Sequence, residues 1–410
     1  MKYSENTPFF ADATQVVRVS NVLKTLRKPS VRTNKAIILT NTSPGSVGDE
    51  AMVQATVQQL TKRELSVDLM VINNEEDWSH IDGFSKKVAL SRFNTEDLSY
   101  IHTLSTYDEF YLVGADVLDG FYDELTTQWL LWLCYIASKV CKKTSILGFS
   151  FNQNPTKGSL YAFANFVPKS VKINIRDTYS LSRFKSKLNN PATLVADVAL
   201  LLEARSDLGH SEACIAWISA QKKENKTVIG LNISGHIFED KDPQSRKKKV
   251  SEYARTIYSV LEKTPSLAYV FIPHDTRPSV GDYELVHDLY TAVGKLGDQS
   301  RTYFLEPPLY AAGIKAICVH LNSVIVARMH LAIAALGSGT PVFSITYQGK
   351  FEGLYNHFGL SNLTSEPSKI FIGANLNNAT QQLINNETSL RSLIKKKLPY
   401  VRNLSLKNFT

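Results

Sequence analysis

Four short stretches carry side chains whose types and spacing can do chemistry. In Arg328-Met-His330 an arginine and a histidine stand two apart directly after an apolar run, and Tyr347 and Lys350 follow the next such run. A guanidinium grips a carboxylate or phosphate through two parallel hydrogen bonds, and an imidazole titrates near neutral pH and can give or take a proton. Arg328, His330 and Lys350 on one rim would bind a multiply charged anion such as a phosphorylated acid. Asn174-Ile-Arg-Asp-Thr-Tyr-Ser180 offers Arg176 either for the same task or for an Arg–Asp structural pair. Ile272-Pro-His274-Asp-Thr-Arg277, with Asp282 beyond, offers His274 either to orient a substrate and move a proton or to cap a loop. The last stretch, Asn41 to Ala51, is a glycine-containing loop with Ser46, Gly48 and Asp49, whose backbone N–H groups suit an anion. Asp49 reads equally as a helix N-cap and as a substrate-facing carboxylate. Gly45 and Gly48 lack the G-x-G-x-x-G spacing, and no Gly-Lys-Ser/Thr follows, so the nucleotide-binding fingerprints are absent.

All four stretches follow short apolar, β-branched runs. Such runs occur at 36–40, 68–72, 109–113, 145–149, 173–175 and 193–195. A second series lies at 227–233, 268–272, 302–305, 323–327 and 342–345, with helical patterns such as 49–60 between runs. Strands alternating with helices predict βαβ units and mostly parallel sheets. Val16, Val19, Leu23 and Leu26 predict a short helix that stops before Pro29. The expected division is an extension over 1–34, an α/β domain over 35–205, a linker over 206–225 ending in a polar run, a second α/β domain over 226–385, and a basic tail over 386–410. No repeat is visible between the two halves. In open α/β sheets ligands sit beyond the carboxyl ends of the strands, so a two-domain chain is expected to place its chemistry in a cleft.

The chain has 410 residues, 43% of them apolar and 20% charged, with a formal net charge of +8. That composition excludes a disordered or fibrous chain. The longest apolar run, 129–137, is far short of the roughly 20 residues that span a bilayer, and the N-terminus lacks the apolar core of a signal peptide. Cys134, Cys141, Cys214 and Cys318 form no C-x-x-C pair and read as buried, reduced thiols, with no metal site. A reducing, cytoplasmic setting follows. The sequons, Asn41 and Asn232 among them, matter only in a secretory lumen. The excess of positive charge favours anionic partners. The basic runs 246–249 and 395–397 read as solvated faces, with weak attraction to an anionic membrane surface as their other use.

The ordered series of motifs resembles the polysaccharide pyruvyltransferase family. It runs through Gly48-Asp-Glu-Ala51, Ile146-Leu-Gly-Phe-Ser150 with Pro155, Ile175-Arg-Asp-x-x-Ser180, Asp197-Val-Ala-Leu200, Phe271-Ile-Pro-His274, Arg328-Met-His330, Pro341-Val and Tyr347-x-x-Lys350. It spans roughly residues 35 to 360. The departure is Val113-Gly-Ala-Asp116, where the family commonly carries a glycine-richer loop. The resemblance implies two Rossmann-like domains in a glycosyltransferase-B-like arrangement. It implies transfer of a pyruvyl group from phosphoenolpyruvate to two hydroxyls of a sugar, lipid-linked or not, giving a pyruvate ketal and phosphate. Phosphoenolpyruvate is then a co-substrate, and neither a cofactor, a metal nor nucleic acid is implied.

By position, the resemblance assigns donor binding to Arg176, Arg328, Lys350 and His274. Catalysis falls to His330 as general acid, Asp49 as base and Lys350 at the departing phosphate. Acceptor-side loops hold Ser46, Gly48, Asp49 and Asp116. Two other readings compete. A nucleotide-sugar-dependent glycosyltransferase would use the same architecture and should bind a nucleoside diphosphate. A polyanion-binding protein would use the positive charge alone and leaves the Arg-x-His spacing without a purpose. A Golgi setting would require an anchor upstream.

Overall fold

The computed structural model describes residues 13–26, 28, 31–72, 75–90, 98–235, 242–278, 280–297, 299–346, 351–360 and 363–410. The chain divides into two compact units. The first comprises Met1–Ser43, Met52–Leu201 and Arg402–Thr410; the second comprises Pro44–Ala51 and Leu202–Val401.

The first unit is built on a seven-stranded sheet in the order β3-β2-β1-β4-β5-β6-β7, with every pairing parallel. Its strands are β1 (Lys35–Leu39), β2 (Ser66–Val71), β3 (Lys87–Ala89), β4 (Glu109–Leu112), β5 (Lys143–Phe149), β6 (Lys172–Ile175) and β7 (Ala192–Leu194). Helix α1 (Ala13–Thr25) precedes them, and α2 (Val47–Thr61), α3 (Ser99–Leu104), α4 (Glu124–Val140), α5 (Lys157–Phe166) and α6 (Thr178–Lys187) lie between them. Ala36 to Leu39 are fully buried, as expected for a parallel strand covered by helices on both faces. Phe149, Phe151, Phe163 and Phe184 pack edge-to-face and stacked at the centre of this core. Carboxylates set helix starts: Asp123 accepts from the backbone N–H of Leu125 and Thr126 at the head of α4, and Asp177 from that of Ser180 at the head of α6.

The second unit repeats the plan with six parallel strands in the order β10-β9-β8-β11-β12-β13. These are β8 (Thr227–Leu231), β9 (Leu267–Phe271), β10 (Thr302–Phe304), β11 (Ser323–Val326), β12 (Val342–Ile345) and β13 (Thr364–Ser365). Its helices run from α7 (Ser211–Lys223) through α8 (Pro243–Lys263), α9 (Tyr283–Gly294), α10 (Ala311–His320), α11 (Met329–Gly337), α12 (Phe351–Phe358) and α13 (Pro367–Ile370) to α14 (Asn375–Leu406). Each sheet places its earliest strand centrally and winds outward both ways, a shared plan that local sequence does not display.

Three expected boundaries change, the first being that Pro44–Ala51, expected within the domain over 35–205, belongs to the second unit. The stretch 206–225 is not a linker: it forms α7, whose Cys214 and Ile218 are buried in the second unit, and its polar end is only the last turn of that helix. The stretch 386–410 is not a tail but most of α14 and a closing turn. Phe409 is buried there, and Asn408 donates to Ala196 O at 3.0 Å and accepts from Gly148 N at 2.7 Å in the first unit. Lys395, Lys396 and Lys397 lie exposed along α14. The extension is anchored too, with Val19 of α1 buried in the first core. All four cysteines are buried free thiols, and burial pushes each above its ordinary range. Among the described residues, no helix is long and apolar enough to cross a membrane.

Candidate functional site

In the second sheet the strand order reverses between β8 and β11, and in such folds the crevice beyond the carboxyl ends at that point takes the ligand. Asn232 follows β8, Ile272–Asp275 follow β9, and Arg328–His330 follow β11. Buried Asn232 ties the three corners together. Its backbone N–H donates to Ile325 O at 2.9 Å, and its Nδ2 donates to Ile272 O at 2.9 Å and to Asp282 Oδ2 at 3.1 Å. Its Oδ1 accepts from the backbone N–H of Arg328 at 3.1 Å.

Two buried carboxylates then fix two arginines. Asp282 stands at the head of α9, but its oxygens serve the site rather than its own helix. Oδ1 accepts from the backbone N–H groups of His274 at 2.8 Å and Asp275 at 2.9 Å, and Oδ2 from Arg328 Nε at 2.9 Å. Burial raises the Asp282 carboxyl above its ordinary range, against the pull of Arg328 and these donors. Asp275 takes Arg277 through Nε at 3.0 Å and Nη2 at 2.7 Å, and Arg328 Nη1 lies 3.3 Å away. Although burial works the other way, these guanidinium partners hold Asp275 below the ordinary carboxylate range. Arg328 also donates from Nη2 to Val280 O at 3.1 Å. Arg328 therefore does not present a bare charge. Two carboxylates balance two arginines and orient them, while the Arg328 side chain stays 18% exposed.

His274 is buried. Burial first, then the neighbouring His330 and Arg328, lower it to about 3, so its imidazole is neutral at physiological pH. It suits hydrogen bonding better than acid catalysis. His330, in the first turn of α11, packs on Gly48, where a Cβ would come within 2.3 Å of the imidazole Nδ1. Only glycine leaves that space. The loop carrying Gly48 is clipped to the turn after β9. Gly45 O accepts from Thr276 N at 2.8 Å, Ser46 bridges antiparallel to Asp275, and Gly45 adopts φ +100° beside Arg277. Asp49 is not the N-cap. The helix begins at Val47, Ser46 precedes it, and Ser46 Oγ donates to Asp49 Oδ2 at 2.6 Å. The second unit thus gathers Ser46, Gly48, Asp49, His274, Arg328 and His330.

Arg176 and Asp116 belong to the first unit. Arg176 ends β6 inside the protein, 3% exposed, with Nη1 donating to Asp197 at 2.8 Å and Nε to Ser150 Oγ at 2.7 Å. Burial opposes its charge, but Asp197, Asp116 and Asp177 outweigh burial and hold the guanidinium above its ordinary range. The carboxylate paired with it is Asp197. Asp116 follows β4 and accepts from Tyr122 Oη at 3.1 Å. Ala115 adopts φ +45°, a left-handed conformation that favours glycine. Tyr347 and Lys350 lie outside the described residues. Sequence reading gave Asp275 and Arg277 no role of their own and saw Asn232 only as a sequon. Their signal was position: each falls within a few residues of a predicted strand's carboxyl end.

Solved structures of this architecture include S. aureus MnaA in a co-structure with UDP, 13% identical over 91% of this chain and 94% of that one, at a TM-score of 0.58. UDP-GlcNAc 2-epimerase from Methanocaldococcus jannaschii is 11% identical over 86% of this chain and 92% of that chain, at 0.53. UDP-GlcNAc 2-epimerase from Neisseria meningitidis, bound to UDP-GlcNAc, is 12% identical over 90% and 97%, at 0.52. Together with the two parallel sheets, they define a glycosyltransferase-B-like fold of two Rossmann-like α/β units. No curated protein matches the chain. The sequence profile of the polysaccharide pyruvyl transferase family matches residues 47–349, and the chain belongs to that family.

Proposed function

We propose that this transferase moves a pyruvyl group from phosphoenolpyruvate to two hydroxyls of a sugar, forming a cyclic ketal and releasing phosphate. The observation that carries the reading is the Arg328–His330 turn at the strand-order reversal, with His330 seated on Gly48 of the Asp49 loop. Arg328, held in orientation by Asp282 and Asp275, takes the donor's carboxylate or phosphate, and Arg277 stands beside it. His330 delivers a proton to the donor methylene, which becomes a methyl group and leaves C2 electron-poor. One sugar hydroxyl adds to C2 and gives its proton to Asp49. The second adds as the C2–O bond to phosphate breaks, and the second proton leaves with phosphate. Lys350 neutralises the departing phosphate. Arg176 receives no donor contact in this reading, because its side chain is 3% exposed and its Nε and Nη1 are engaged by Ser150 and Asp197.

The test is phosphate release from phosphoenolpyruvate across galactose, mannose, glucose and N-acetylhexosamine acceptors. No release with any acceptor overturns the reading, and turnover of a UDP-sugar without phosphoenolpyruvate replaces it with glycosyl transfer. His330→Gln is expected to lower turnover by about 10²–10⁴-fold with donor affinity and melting temperature near wild type.

A further inference from the structure

At the carboxyl end of β4, next to the β1/β4 strand-order reversal of the first sheet, two large aromatic side chains stand in solvent. Phe121 is 55% and Tyr122 54% exposed, with ring centroids 5.2 Å apart at an interplanar angle of 87°. Leu125, at the start of α4, is exposed beside them in sequence. Single exposed apolar residues need no explanation, but adjacent ones at a sheet's ligand-binding end do.

The loop beneath them is pinned, so the exposure does not come from loose chain. Ser150 N donates to Ala115 O at 2.9 Å, Thr127 Oγ1 to Val117 O at 2.7 Å, and Ser159 Oγ to Leu118 O at 2.8 Å. The Asp119 carboxylate accepts from the N–H groups of Phe121 and Asn152, both at 3.0 Å. Gly120 takes φ +80°, and a Cβ there would stand 2.2 Å from Thr156 Oγ1. The backbone is thus held so that residues 121 and 122 are turned outward. A rigid aromatic surface loses little conformational entropy on binding.

We propose that Phe121 and Tyr122 form the platform on which the acceptor's pyranose ring rests. A pyranose has an apolar face of C–H groups and a rim of hydroxyls. With the two planes at 87°, one ring matches the face while the other flanks the sugar's edge, and Asp116, joined to Tyr122 Oη at 3.1 Å, supplies a carboxylate for the rim. The inference rests on the sugar acceptor of the proposed function and deepens it by naming the surface that selects a pyranose.

Two measurements on the full chain test it. The first is saturation-transfer NMR with the methyl pyranosides of galactose, mannose, glucose and N-acetylglucosamine, without phosphoenolpyruvate. Transfer to ring C–H protons is expected for the wild type and is expected to vanish in the folded Phe121→Ala/Tyr122→Ala double variant. The second is acceptor KM in the phosphate-release assay. Each single alanine variant is expected to raise it roughly tenfold with the KM for phosphoenolpyruvate unchanged, and Tyr122→Phe, which keeps the ring, to stay within a few-fold of wild type. Undiminished saturation transfer in the double variant, unchanged acceptor KM, or no pyranoside bound by the wild type overturns the platform. Ring-dependent pyranoside binding without any phosphate release leaves the platform standing and overturns the ketal chemistry alone.

Discussion

Arg176 and Arg328 each stand directly after a strand and before a helix in two like-built units, yet their surroundings differ. Arg176 ends β6, two strands away from the reversal in its sheet, and is closed in against Asp197 and Ser150. Arg328 follows β11, at the reversal itself, and remains partly open while two carboxylates orient it. Distance from the reversal goes with burial: the arginine two strands away is 3% exposed and the one at the reversal 18%.

The largest expected effect breaks the closed corner. Asp197→Ala removes the carboxylate that is hydrogen-bonded to the buried Arg176 guanidinium, and losing one partner of a buried pair costs about 3–5 kcal/mol. The Asp197 carboxylate also accepts from Ala199 N at 2.9 Å, which adds to the loss. Chemical unfolding followed on the first unit's tryptophans measures it. A loss under about 1 kcal/mol would mean that Arg176 finds another partner, and the contrast between the corners would fail.

A middle-sized effect belongs to the open corner. Arg328→Ala is expected to weaken phosphoenolpyruvate binding by about ten- to a hundredfold, the worth of a charged hydrogen bond. Its stability cost is expected to be smaller than that of Asp197→Ala, because the carboxylates left behind are not orphaned. Asp275 keeps Arg277, and Asp282 keeps the His274 and Asp275 N–H groups and Asn232 Nδ2. Calorimetric titration and thermal unfolding of one variant give both numbers. A folded variant with unchanged donor affinity removes Arg328 from the donor site.

The same comparison explains what the sequence could and could not disclose. All eleven predicted strands form, since buried parallel strands such as 36–39 write themselves as unbroken apolar runs. The edge strands β3 and β13 escaped notice: with three and two residues and little burial they leave no run. Helix α7 escaped because the lysines of its last turn read as a linker. Arg328 and His330 were visible from type and spacing alone. The carboxylates that hold Arg328 were not, because Asp275 and Asp282 reach it only through the order in which β8, β9 and β11 assemble, and strand order is a non-local property. Asn232 was noticed as a sequon, yet it is buried as the bond between those three strand ends.

The smallest effect concerns acid stability at the open corner. His274 has a folded value of about 3 against an ordinary 6.5, so below about pH 6.5 the unfolded chain takes up a proton that the folded chain refuses. Stability contributed by keeping this imidazole neutral is complete above about pH 6.5 and declines as the pH falls toward 3. Its share between pH 6.5 and 5.5 is about 1 kcal/mol. Asp275, held low, loses stability in the same direction at lower pH, whereas Asp282, held high, opposes it. Subtracting the unfolding free energies of His274→Gln from those of the wild type at each pH removes both carboxylate contributions. The difference is expected to slope by that amount, with the wild type losing more. A flat difference would mean that the His274 pocket admits the charged ring, and His274 would then stand as a second candidate for the proton assigned to His330.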